Sequence, residues 1–236
     1  MFIEWTETGK FHIDNNKSNE DAIVTLKNGK NVAVALCDGV STCQNSEAGA
    51  KVACASLCDF FVRKGYKLAS YDSRTIAKKT VSHILYDLKK YSEKTGNTME
   101  SLSSTAASVV YDYELGKVVC INIGDALIGG IGKDGFETII SPQKHSRGCY
   151  TTTTKGVERV ADIVVLDAGK FDSIFICSDG MWKGFYQNRH ISDNIDECLR
   201  TKDYKRMISI VQMGESYDDR SIVVMDLEDI KEEQLA

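Results

Sequence analysis

Between Ser46 and Tyr91 the apolar residues of this 236-residue chain change their spacing, and that change limits the folds open to it. Ahead of it, FIEWTE, AIVTLK and NVAVALC are short runs rich in β-branched and aromatic residues. The turn Asn28-Gly29-Lys30 joins the last two as a hairpin. Within it, Val52, Ala53, Ser56, Leu57, Phe60 and Phe61 recur at helical spacing over 46–63, with Gly65 as a stop. Ile76, Thr80, Val81, Ile84, Leu85 and Leu88 do the same over 73–91, with Gly96 beyond the end. Strand signals then return in TAASVVYDY, KVVCINI, ALIGGI, FETII, DIVVLD and DSIFICS. Two short helical stretches between about His190 and Gln212 precede a last strand, SIVVMDL. Strands grouped on both sides of a helical block predict antiparallel sheet with helices packed outside and argue against alternating βα units.

No repeat or linker divides the chain, so a single domain spanning 1–236 is expected. At 42% hydrophobic and 27% charged it has the apolar material for a sizeable core, and disorder is excluded. A formal charge of -5 argues against non-specific nucleic-acid binding, which needs a dense cationic surface. The N-terminal residues lack a basic n-region and an apolar h-region, and no apolar run approaches the ~18 residues of a membrane span; a soluble, cytoplasmic protein is expected. The eight Cys show no CxxC spacing and sit mostly in apolar runs, which reads as buried reduced thiols. Cys54 and Cys58 share a helix face, and half of a metal site is the other reading of that pair.

Three apolar strands finish on a carboxylate: VAVALCD at Asp38, VVCINIGD at Asp125 and SIFICSD at Asp179. Two others begin just after acids, Glu20-Asp21 before AIVTLK and Asp218-Asp219 before SIVVMDL. In an antiparallel sheet the end of one strand lies beside the start of its neighbour, so all five positions can gather on one edge. Carboxylates that close cannot all stay ionised without cations between them. Hard oxygen ligands without a matching His/Cys set favour Mg²⁺ or Mn²⁺. Any one Asp-Gly pair is also ordinary turn chemistry; recurrence at several strand ends is what points to a site.

The segments NEDA (19–22), ALCDGVS (35–41), SSTAA (103–107), NIGDA (122–126), CSDGMW (177–182) and DDRSIVV (218–224) together resemble the ordered motifs of the type 2C, metal-dependent serine/threonine protein phosphatases. The resemblance implies an α+β fold, a four-layer αββα sandwich of two antiparallel sheets flanked by helices, with a binuclear Mn²⁺ or Mg²⁺ centre at one edge. It implies that Asp38 bridges both metals, that Gly39 offers its carbonyl, and that Asp21 and Asp179 complete the shells with Glu20 in support. Asp218 is the implied ligand of the last motif and Asp219 the replacement for the family's Asn, although a one-residue slip exchanges them. Asp125 matches the acid that helps hold a third, weaker metal. The implied reaction is hydrolysis of phosphoserine and phosphothreonine in proteins by a metal-activated hydroxide, without a phosphoenzyme. Asp21, Asp38, Asp179 and Asp218 are its implied catalytic set.

The chain departs from the family pattern in places. Val40 stands where animal members carry a His suited to protonating the leaving group. Asn16 stands where the phosphate-gripping Arg is usual, and Lys17 beside it can substitute as a point charge or be a plain turn lysine. His145, in the irregular flap segment at about 141–160, is either a second substrate contact or part of a solvated basic loop. These losses leave open a catalytically weak pseudophosphatase that binds phosphoproteins, and a phosphohydrolase of small metabolites is a third reading. The expected partner is a phosphorylated protein, with no nucleic acid or membrane, and a monomer is the simplest assembly. Gly130, Gly132 and Gly135 spell GxGxxG, but the strand-like FETII after them makes a hairpin turn the better reading.

Overall fold

The computed structural model describes residues 2–29, 31–143 and 148–230, with backbone only at 64–67. The chain opens with β1 (Phe2–Glu7), α1 (Lys10–Asp14), β2 (Asp21–Lys27) and β3 (Asn31–Asp38), followed by α2 (Ser46–Leu68) and α3 (Ser73–Thr95). Five strands come next: β4 (Ala106–Asp112), β5 (Lys117–Ile123), β6 (Leu127–Gly132), β7 (Gly135–Ile140) and β8 (Asp162–Asp167). After β9 (Ser173–Cys177) the chain forms α4 (Asp179–Trp182), the two-residue strands β10 (Tyr186–Gln187) and β11 (His190–Ile191), α5 (Asp193–Arg200), α6 (Tyr204–Gln212) and β12 (Arg220–Asp226).

Two five-stranded sheets result, in the orders β2-β3-β4-β5-β8 and β1-β12-β9-β6-β7, with every pairing antiparallel. They stack face to face. Val32, Val34 and Leu36 of β3 meet Ile174, Ile176, Val223 and Met225 of the other sheet, while Ala33, Ala35 and Cys37 turn outward under Ala53, Cys54 and Leu57 of α2. That alternation is the period of two in a pleated strand. Small residues on the outer side let α2 lie close to the sheet. On the far side, Phe175, Cys177, Ile222 and Val224 pack with Met181, Ile195, Leu199 and Met207 from α4, α5 and α6. The inner strands of both sheets are thus covered on both faces, and β3, β4, β5, β9 and β12 read as nearly unbroken apolar runs for that reason. The four-layer αββα order is the one expected.

The predicted GxGxxG turn is the β6–β7 hairpin. Helix α3 ends as its sequence requires, with Gly96 at φ 78° donating to the Ser92 carbonyl at 2.8 Å. Helix α2 does not stop at Arg63: it runs through Gly65 to Leu68, which is 1% exposed. Burying a leucine outweighs the ~1 kcal/mol helix cost of one glycine. All eight Cys are free, and six are buried. Cys54 and Cys58 do share a face of α2, where they donate to the carbonyls of Ala22 (3.3 Å) and Val24 (3.1 Å). Among the described residues no helix is long and apolar enough to cross a membrane.

Candidate active site

Asp21 opens β2 and Asp38 closes β3, and the antiparallel register sets them directly opposite each other. Like charges in that position repel. Asp125 lies in the turn between β5 and β6, Asp179 follows β9 as the first residue of α4, and Asp218 stands just ahead of β12. Burial holds the Asp38 carboxyl well above the usual carboxylate range, and the charges of Asp21, Asp179, Asp218 and Asp125 push it in the same direction. Asp38 is therefore the middle of the group. Burial lifts Asp21 to about 7, the nearby hydroxyls of Ser221 and Ser178 oppose the rise, and the charges of Asp219 and Asp218 add to it. Asp218 is raised by burial and then by Asp179, with Lys183 acting the other way.

These residues suit a hard divalent cation. Both carboxylate oxygens of Asp21 are buried without a hydrogen-bond partner of regular geometry, a costly state for an ionisable group that has no cation beside it. No three Asp, Glu, His or Cys side chains among the described residues close into a finished cage around one point. Mg²⁺-type ions do not require one, because they keep several waters and take one or two carboxylates each.

Behind the five acids lies a buried frame. Asp219 accepts the Gly9 N–H at 2.7 Å on one carboxylate oxygen and the Glu20 N–H at 2.6 Å on the other. Nδ1 of His12 is 2.9 Å from Asp219 Oδ1, and its Nε2 is 3.4 Å from Glu20 Oε2. Asp219 is committed to holding three chain segments together, whereas Asp218 faces Asp179 and Lys183. Glycine is needed where these segments meet: a Cβ on Gly9 would run into the Asp218 backbone, and one on Gly180 into the Asp219 carbonyl. Gly39 donates to the Glu20 carbonyl at 3.1 Å and bridges to Ser104.

Other side chains fix the acids in place. Thr105, in the SSTAA segment, donates its N–H to the Asp38 carbonyl at 2.7 Å and accepts the Asp38 N–H on Oγ1 at 2.9 Å. Trp182 Nε1 donates to the Asp125 carbonyl at 2.8 Å, and the Asn122 amide donates to the carbonyls of Gly124 (3.2 Å) and Ala126 (3.0 Å). Cys149 lies close enough to Asp125 and Asp38 to feel both; burial, reinforced by those charges, pushes its thiol up to about 12, so it is no thiolate nucleophile at neutral pH.

Of the residues proposed to touch substrate, Lys17 sits at the loop leaving Gly39, 3.2 Å from the Ser41 carbonyl and 3.6 Å from Glu20 Oε1. His145 lies outside the described residues. Asn16 adopts φ 51°, and the Val40 N–H is spent on the Ser103 carbonyl. Sequence reasoning missed His12, Thr105 and Lys183. The last had a legible signal, since Lys183 follows Asp179 by four residues, the spacing of a helical ion pair; the Asp-Gly between them reads as a turn and hides it. A hollow of about 470 Å³ opens beside Asp218 and Lys183, with Phe185, Val211 and Tyr217 on its walls.

A family model described as protein phosphatase 2C matches residues 8–212. The fold is shared with a bacterial serine phosphatase at 17% identity and a TM-score of 0.67, covering 94% of this chain and 96% of that one. It is shared with the serine/threonine phosphatase Stp1 from Staphylococcus aureus at 17% identity and a TM-score of 0.66, covering 94% and 93%. The catalytic domain of the serine/threonine protein phosphatase PstP, solved with two manganese ions, aligns at 16% identity and a TM-score of 0.67, covering 96% and 97%. No curated protein matches the chain by sequence.

Proposed function

The chain belongs to the protein phosphatase 2C family, and on that premise we propose that its cleft hydrolyses phosphoserine and phosphothreonine in proteins with Mn²⁺ or Mg²⁺ held by Asp21, Asp38, Asp179 and Asp218. The observation that carries this reading is the crowding of four further acids around Asp38, a charge arrangement that needs divalent counter-ions. When bound, such ions supply Lewis acidity toward the phosphoryl oxygens and lower the pKa of water.

The chain's own residues do the positioning. Asp38, central among the acids and tied by its backbone to Thr105, is suited to serve both ions, and Asp21 faces it from the neighbouring strand. Asp179 and Asp218 lie within reach of each other's charge, while Asp219, Glu20 and His12 hold the loops from behind. The Gly39 carbonyl is the neutral ligand that the family resemblance implies. Lys17 is the candidate phosphate contact, acting as a single charge rather than a bidentate fork. With Val40 in place of an acid, solvent protonates the departing serine or threonine oxygen. Eight unpaired cysteines favour the cytoplasm as the working compartment.

The test is hydrolysis of a phosphothreonine peptide and of an aryl phosphate by the Mn²⁺-loaded protein, abolished by EDTA. Absence of phosphate release at any Mn²⁺ or Mg²⁺ concentration sinks the reading, and metal-dependent peptide binding without release makes the protein a phosphoprotein binder instead.

A further inference from the structure

Lys183 is the residue of the cleft that the reading above leaves without a task. It caps the single turn of α4, four residues after Asp179, and its Nζ lies 2.6 Å from Asp179 Oδ2. The contact is not a solvated surface pair. Asp179 is 12% exposed, and the lysine side chain, 47% exposed, reaches inward to it. Besides Asp179, the ammonium feels Asp218 and Asp125; burial opposes its charge and these three acids sustain it. Asp125 is the acid that the family resemblance assigns to a third, weaker metal, and its backbone is pinned by Trp182 of the same helical turn. The turn that carries Asp179 therefore also fixes Asp125 and brings a cation to both. A further divalent ion drawn in by Asp125 would compete with that ammonium for the same acids, and like charges that close repel.

We propose that the Lys183 ammonium takes the place of a third metal ion, so that the centre of this protein holds two divalent ions rather than three. The inference rests on the two-metal phosphatase reading and adds a charge built into the chain, paired with Asp179 and within reach of the Asp125 charge. Lys183 is a positioning residue: it acts through the acids and not on phosphorus.

The experiment counts Mn²⁺ ions by isothermal titration calorimetry, with free Mn²⁺ followed by electron paramagnetic resonance, on the unaltered protein and on Lys183→Met and Lys183→Arg. Methionine keeps the side-chain length, removes the charge and adds no carboxylate. Two ions are expected for the unaltered protein and for Lys183→Arg. Lys183→Met should bind the same two and a third at least tenfold more weakly. Thermal melting checks that each variant is folded, which the exposure of the side chain favours. Three ions in the unaltered protein, or only two in folded Lys183→Met, overturns the proposal while leaving the phosphatase reading intact. Two ions without phosphothreonine hydrolysis sinks the phosphatase reading but keeps the assignment of Lys183. No bound ion overturns both.

Discussion

His12 Nδ1 stands 2.9 Å from Asp219 Oδ1, with both side chains almost fully buried. The same imidazole reaches toward Glu20 on its other nitrogen, so it links the residue before Asp21 to the residue after Asp218. His12→Ala would leave two buried carboxylates facing a void. Leaving a buried polar group without its neighbour costs about 1–3 kcal/mol, which in a domain of this size lowers Tm by about 2–12 °C. Thermal melting monitored by circular dichroism checks this, and an unchanged Tm would show that the imidazole merely fills space.

The two acids before β12 separate by what they hold. Asp218 faces the cleft, whereas Asp219 accepts two backbone N–H groups. Asp218→Asn should cut phosphatase activity by about 100-fold or more while leaving the metal-free Tm unchanged or raised, because a repelling charge is gone. Asp219→Ala should instead lower Tm, since two buried N–H donors lose their acceptor at ~1–3 kcal/mol each. Paired melting curves and kcat measurements distinguish them, and the opposite pattern would mean that the ligand is Asp219.

Stability without metal should depend on pH through Asp21. Its carboxyl titrates near 7 in the fold against 3.8 as the ordinary value, chiefly because it is buried. The folded state thus binds more protons than the unfolded chain between those values. The contribution is fully present below about pH 4 and is lost as pH rises through about 7. Metal-free protein is expected to melt several degrees lower at pH 8 than at pH 5, more so than Asp21→Asn does over the same interval. Mn²⁺ or Mg²⁺ replaces the proton as counter-charge, so added metal should raise Tm more at pH 8 than at pH 5. A metal effect independent of pH would remove Asp21 from the ion-binding set.

The sheets were legible because each strand announces itself twice, once in its apolar run and once in the acid or turn residue that ends it. All ten strands of the two large sheets fall on runs visible in the sequence, and the antiparallel order alone carries five strand ends to one edge. The short helices were not legible. α1 and α4 span five and four residues, less than the length over which helical period can be seen, and they deliver His12 and Lys183. The different surroundings of Asp218 and Asp219 were hidden for another reason. Two adjacent acids have the same composition and charge, and only the positions of the Gly9 and Glu20 N–H groups, distant in the chain, set them apart.

Thr105 offers a test of how the cleft holds its central acid. It exchanges two hydrogen bonds with the Asp38 backbone, donating from its N–H and accepting on Oγ1, and the acid is fixed at the very end of β3 by that exchange. Thr105→Val keeps shape and volume but strands the Asp38 N–H, at a cost of about 1–3 kcal/mol. Because the lost bond fixes the backbone of the residue expected to serve both ions, part of that cost should appear as weaker Mn²⁺ binding, by roughly tenfold for each 1.4 kcal/mol. Thr105→Ser retains the acceptor and should restore the affinity. Calorimetric titration of the three proteins with Mn²⁺ checks this: equal affinity in Thr105→Val would show that the Asp38 carboxylate keeps its place without the threonine hydroxyl.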